Sequence, residues 1–512
     1  MLQRTTFLAM LVLALALGTA SYFLHQSDYP LTYDEGDYYL AVQKGLWTNW
    51  TDADDISIIA FARMCIDAIG DASARARLSD YIRSSGSTMF YRHYHPPLAF
   101  YPAIALQPVT AALPLHQQLR YANLFWLFFW VLALGVIGWI YREARSSVFV
   151  LLPASAAWAM AVVGFNMHLP FGLLASLFFL CWYLYEKHGH RGLRHAAQFF
   201  FAAACATVEY GMFLLFFIVL WGVIALWRSD DRRGFLRAAL ASAGWVLLFL
   251  AVIWPAGVIS ANLLKSWTFV MYIALFRLGT EPVAFAGWWT LLIEKWNSNP
   301  FELLMLLALL GYTLARWRKL LSRGSLFTAA GFILALLYLQ LNPTLVYRWY
   351  LFPAFASAFA LPAFVLMRRL ERAASIPDLT EMRSRDRRHY IHAVAPVLAV
   401  ALFVSAALLV PEPDYTELKQ MHRLVTGERP SHLTIPRSLL PSLTPYLPDT
   451  DIVSYHDVTY EDMSLADSLP LWRASGMVII PRGYDIGQQA ADGALGDYLY
   501  YIFNPSGGTR NE

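Results

Sequence analysis

A chain of 512 residues that is 58% hydrophobic and only 15% charged, with a mean hydropathy of +0.43, is too apolar for a water-soluble multidomain protein. It is expected to be a polytopic membrane protein. The net charge of +3 mixes both signs and gives no argument for nucleic acid or another polyanion. Its three cysteines, two of them inside apolar runs, support neither a disulfide framework nor a cysteine metal site.

In chain order, the first apolar segment runs from Phe7 to Leu24 behind Arg4 and is just long enough to cross a hydrocarbon core. A cleaved signal peptide ending near Ala20 is the competing reading; a retained span is favoured because the rest of the chain is also membrane-embedded. Either way residue 30 is expected outside the cytoplasm. The acidic stretch "TYDEGDYYLAVQKG" (32–45) follows at once and brings Asp34, Glu35 and Asp37 together at the exit of a greasy segment. The bland reading makes them solvated residues, or caps of a helix beginning "YYLAVQKG".

The region from 25 to 118 then offers two polar helices with apolar residues at helical spacing, "DDISIIAFARMCIDAIG" and "ASARARLSDYIRSSG", as expected of helices lying along a membrane face. In "YRHYHPPLAFYPAIAL", Pro96 and Pro97 break what precedes them. The apolar run behind them is short and proline-interrupted, so it is expected to be a re-entrant or interfacial helix.

Further spans are expected near 119–141, 148–165, 170–186, 196–209, 211–227, 238–256, 301–315, 325–342, 349–367 and 391–410, which with the first makes about eleven. Lys and Arg orient them. With the amino end inside, the inner loops hold Arg142 and Arg145; Lys187, Arg191 and Arg194; Arg228, Arg232, Arg233 and Arg237; Arg316, Arg318, Lys319 and Arg323; and a dense run from Arg368 to Arg388. The short outer loops at 166–170 and 209–211 carry none. Three outer regions are then large: 25–118, 257–300 with the aromatic-rich "KSWTFVMYIALF" and "GWWTLLIEKW", and 411–512. In the last, "HLTIP", "DIVSYHDV" and "GMVIIP" are strand candidates between helical pieces, expected to form a small α/β domain outside the membrane. Residues 1–410 would be the membrane module. No phosphate-cradling glycine loop of either common type is present.

These residues carry a resemblance. An outer loop opening "DEGDYYLA" and later containing "HPPLAFY" resembles the membrane glycosyltransferases of the GT-C superfamily, in the protein O-mannosyltransferase and lipid A aminoarabinose transferase branch. "YRWYLFPAF" (347–355) is similar to the branch's Arg-x-Tyr-x-x-Pro signature. There are departures: where the branch usually has an Asp before the span starting near 170, the chain has Asn166 and His168, and Glu209 with Tyr210 stand where aminoarabinose transferases tend to be basic. The oligosaccharyltransferase branch fits less well, since "GWWTLL" lacks the Asp of its Trp-Trp-Asp signature.

The resemblance implies transfer of a sugar from a polyprenyl-phosphate carrier to a glycan, lipid or protein acceptor at the outer face, with no nucleic acid involved; compact loops without an organellar targeting signal point to a bacterial cytoplasmic membrane. Inverting transfer needs a base for the acceptor's proton and a cation for the departing phosphate. Asp34 suits the first role, with Glu35 beside it as a second catalytic candidate, and Arg348 suits the second. Tyr350, at the signature spacing, His93 and His95 of the HPPL segment, and Glu209, a costly charge in apolar surroundings, are candidate substrate contacts. Each has a plainer alternative: Arg348 as a snorkelling anchor, the histidines as structural interfacial residues. A divalent metal stays open, since histidines and carboxylates are present but no tight ligand spacing is. The rival reading is a transporter or flippase of a lipid-linked sugar, disfavoured by the long first outer loop and by the lack of paired halves.

Overall fold

The computed structural model describes residues 30–31, 33–51, 56–71, 73–75, 77–78, 81, 96–141, 165, 167–209, 211–227, 229–272, 416–436, 439–455, 476–481, 491–496 and 498–502. The expected spans at 7–24, 301–315, 325–342, 349–367 and 391–410, and all of the one at 148–165 except Phe165, lie outside the described residues, as does "GWWTLLIEKW".

Helix α1 is Tyr33–Gln43 and α2 is Gly45–Thr51. Gly45 sits at the bend between them at φ 79°, which glycine adopts without a Cβ clash. Asn49 Nδ2 donates to the carbonyls of Ala41 and Gly45 and ties the bend. Because α1 already begins at Tyr33, Asp34, Glu35 and Asp37 lie inside a helix and do not cap one that starts at Tyr38. Asp34 and Glu35 fall in its first turn.

Helix α3, Ile58–Asp67, starts at Ser57, whose side chain accepts from the Ala60 amide. It buries Phe61 and Cys65 and leaves Ile59 and Ile66 exposed, the pattern of a helix lying on a membrane face. Pro97–Phe100 form a 3-10 turn that leads into α4, Tyr101–Thr110, with Pro102 in the first turn where its missing N–H costs nothing. At 10 residues, about 15 Å, α4 is far too short to cross a core of about 30 Å, so the HPPL segment is non-spanning as its prolines indicate.

Five predicted spans fall on helices: α5 Leu115–Ile140, α6 His168–His188, α7 Arg191–Cys205, α8 Gly211–Trp227 and α9 Arg232–Ile253. Among the described residues α5 and α9, with 26 and 22 residues, are long and apolar enough to cross a membrane. The helix expected over 196–209 differs in register: α7 is 15 residues long, starts on the polar Arg191–His195 turn and stops at Cys205. Alone, at about 22 Å, it does not traverse the whole hydrocarbon core. The helices carry outward-facing apolar stripes: Phe125, Phe128, Leu132, Val136 and Trp139 on α5, Val219, Val223 and Trp227 on α8, and Leu240, Leu247, Leu248 and Val252 on α9. Such stripes at helical spacing are what lipid contact requires and water penalises. Inside, α6 and α7 pack against each other, and Ala175 on one and Ala197, Ala202 and Ala204 on the other are fully buried. After α9 the chain breaks at Trp254 and continues as α10, Pro255–Ile259, and α11, Asn262–Tyr272, which packs on α3 through Phe269 and Phe61. These occupy the region expected to be interfacial.

The C-terminal part is an α/β layer. Helix α12, Thr416–Glu428, buries Leu418, Met421 and Val425 at helical spacing. Strand β1 is His432–Pro436, α13 is Leu440–Leu443, a 3-10 turn covers Thr444–Tyr446, and β2 is Asp451–Tyr455. Then come β3 Met477–Pro481, β4 Gly493–Leu495 and β5 Tyr498–Ile502. The sheet order is β2-β1-β3-β5-β4, with β1 parallel to β2 and β3, and β5 antiparallel to β3 and β4. The three expected strands are present. The β4–β5 hairpin was not expected: β4 has only three residues, two strand-weakening glycines lie close by, and periodicity has almost nothing to act on.

Candidate active site

Four segments far apart in sequence meet at one end of the bundle. Tyr38 of α1 lies 5.4 Å from Phe100 and 5.6 Å from Phe165, ring centre to ring centre, and Phe100 lies 6.0 Å from Phe165. Pro96 and Pro97 carry no N–H, so Leu98 offers the first amide of its segment; it donates to the Ala206 carbonyl at 2.9 Å. Ala206 caps α7 and leads into the turn that holds Glu209. Trp126 Nε1 of α5 donates to the Ala99 carbonyl at 3.2 Å, and the Tyr101 hydroxyl donates to Ile253 at the end of α9. The first acidic stretch, the HPPL segment, the chain entering α6 and the α7–α8 turn are thereby held as one neighbourhood.

The turn after α7 is tight. A Cβ at position 211 would lie 2.6 Å from Cys205 Cα, so only glycine lets α8 leave there. Within it Glu209 is buried, at 2% exposure.

Glu35 is buried too, and its partners are explicit. Arg120 Nε donates to Oε1 at 2.8 Å and Nη2 to Oε2 at 2.7 Å, a bidentate fork between side chains 0% and 1% exposed. The Phe165 amide donates to Oε1 at 2.6 Å, and Arg120 Nη2 also reaches the Pro30 carbonyl at 3.4 Å. This carboxylate ties α1 to α5 and to the chain entering α6. Buried pairs of this kind gain little net energy when intact but cost about 3–5 kcal/mol when one partner is removed.

On the other side of the same entry, the Leu31 amide donates to the Tyr446 hydroxyl at 2.9 Å, a bond between residues 415 apart in sequence. Burial pushes the Tyr446 phenol up to about 12, with the Leu31 amide, Glu35, Arg120 and Tyr39 acting as smaller influences. The hydroxyl thus keeps its proton at neutral pH. His422 of α12 stacks edge-on against the Tyr446 ring at 4.3 Å between centres.

Of the residues expected to do chemistry, Asp34 lies in the first turn of α1, Glu35 beside it in the ion pair, and Glu209 in the α7–α8 turn. His93, His95, Arg348 and Tyr350 lie outside the described residues. Among the described residues no three or more His, Cys, Asp or Glu side chains gather as metal ligands would. Three further polar groups carry little or no signal in the sequence. Arg120 was signalled only by being a lone cation in the first turns of an apolar helix. Lys265 of α11, fully buried with Nζ 3.4 Å from Asn262 Oδ1, hid inside a segment that looks like an aromatic belt. Tyr446 has no local signal at all.

No family model and no curated protein matches the sequence. Solved structures do resemble the chain. ArnT from Cupriavidus metallidurans in the apo state superposes with a TM-score of 0.52 at 12% identity, covering 97% of this chain and 97% of that one. The same protein bound to undecaprenyl phosphate gives 0.52 and 12% over 96% of this chain and 97% of that one. The likeness shows the fold: the chain shares the architecture of these structures along nearly its whole length.

Proposed function

We propose that the protein is a glycosyltransferase that moves a sugar from a polyprenyl-phosphate carrier onto a glycan, lipid or protein acceptor at the non-cytoplasmic face of a bacterial cytoplasmic membrane. The observation that carries this is the convergence of α1, which bears Asp34, with the HPPL turn and the Glu209 turn at one end of a bundle whose outer surface is apolar. The end-to-end likeness to ArnT, solved with undecaprenyl phosphate bound, supports the choice of donor.

In this reading the Asp34 carboxylate takes the proton of the acceptor hydroxyl as that oxygen attacks the anomeric carbon. The bond from that carbon to the phosphate oxygen breaks, and its electron pair leaves with the carrier phosphate. The Arg348 guanidinium meets the charge that develops there, with Tyr350, His93, His95 and Glu209 as further substrate contacts. Glu35 takes a different part from the one its sequence position suggests. Both of its oxygens are engaged by Arg120 and the Phe165 amide, so it acts as the brace that fixes α1 under its neighbour Asp34.

Transfer and transport separate cleanly in detergent. Purified full-length protein, mixed with lipid-linked sugars extracted from radiolabelled cells and with envelope glycolipids and proteins, should form a new glycosidic product without any gradient. A flippase would form none, and that outcome would reverse the reading.

A further inference from the structure

We infer that Tyr446 is a positioning residue of this site: through its hydroxyl the C-terminal α/β layer sets the entry of α1 and with it the placement of Asp34. The inference rests on the proposed transferase reading for its link to turnover, but the contact itself stands on geometry. Two consecutive residues before α1 are held from opposite sides. Arg120, on a bundle helix, reaches the Pro30 carbonyl, and Tyr446, on the C-terminal layer, accepts from the Leu31 amide. The Leu31 side chain is fully buried, so its amide has no route to water, and an amide left without an acceptor there is costly.

Tyr446 is built into both parts. Its ring packs against the large core of the bundle and stacks on His422, while α13 and the turn that carries it lie directly against α1. A chain carrying Asp34 only three residues beyond Leu31 cannot be moved at Leu31 without moving the carboxylate. The C-terminal layer is in this way a working part of the site and not an appended domain.

Tyr446→Phe removes the acceptor and keeps the ring. Tyr498→Phe, on β5 of the same layer, is the control. Hydrogen exchange on the full-length protein should show the Leu31 amide exchanging about tenfold faster in Tyr446→Phe and unchanged in Tyr498→Phe, with exchange in β1–β3 unaltered to certify the fold. Sugar transfer should lose about tenfold in kcat while the apparent KM for the carrier stays within about twofold. Unchanged Leu31 exchange overturns the inference, and so does faster exchange with undiminished kcat. If the wild type transfers no sugar, the transferase reading fails alone, and the exchange arm still decides whether Tyr446 holds α1.

Discussion

The bundle and the C-terminal layer place charge in opposite ways. In the bundle the outer surface is apolar and the buried interior holds the Glu35–Arg120 fork. In the C-terminal layer the centre is apolar, with Leu433, Ile435, Val478 and Ile479 fully buried, and the cross-strand pair His432–Asp451 sits at the edge with its side chains 54% and 68% exposed. The difference teaches which solvent each part meets. Lipid rewards an apolar exterior and tolerates polar groups only where protein surrounds them; water rewards the reverse.

The largest loss of stability should come from Arg120→Ala. It strands Glu35 in the interior and is expected to cost about 3–5 kcal/mol, read as a lower melting temperature or lost accumulation in membranes, whereas the charge-preserving Arg120→Lys should be milder. Leu247→Asp on the exposed stripe of α9 comes next. If that face meets lipid, the substitution costs about 3 kcal/mol of insertion; if it meets water, stability and insertion hold.

One pH effect on stability should arise in the C-terminal layer and reach Leu31 through Tyr446. Burial, then the nearby Arg423, lowers the His422 pKa below the ordinary value of 6.5, and its Nε2 is buried without a hydrogen-bond partner. A histidine kept neutral in the fold contributes stability above pH 6.5. That contribution is lost as pH falls from there through the lower folded value, because the unfolded chain binds the proton more readily. Acid titration of Leu31 exchange should show this loosening, and His422→Phe should flatten it. The smallest effect should be His432→Ala, within about 0.5 kcal/mol, since a pair so exposed is screened by water; a larger loss would mean that the sheet edge is covered.

Much of the frame was legible because lipid imposes a simple code. Span length and the Lys and Arg pattern located α5, α6 and α8 to within four residues, while α9 starts six residues early and takes Arg232, Arg233 and Arg237 from the expected loop into its first turns; two prolines marked the non-spanning HPPL turn. The code gave out where polar groups pair across distance. Asp34 and Glu35 look alike in sequence, and only the arrival of Arg120 and the Phe165 amide distinguishes a brace from its neighbour. The plainer alternative, a cap of a helix beginning at Tyr38, fails because α1 already runs from Tyr33, and acidic residues favour both the cap and the first turn. The Tyr446–Leu31 bond spans 415 positions, beyond any periodicity or local propensity.

If the first turn of α1 delivers the base of a sugar transfer, as proposed, Asp34→Asn removes that base. With labelled lipid-linked sugar and full-length protein in detergent, product formation should fall at least about 100-fold while the protein inserts normally and still binds the carrier. Wild-type turnover in that variant would contradict the account.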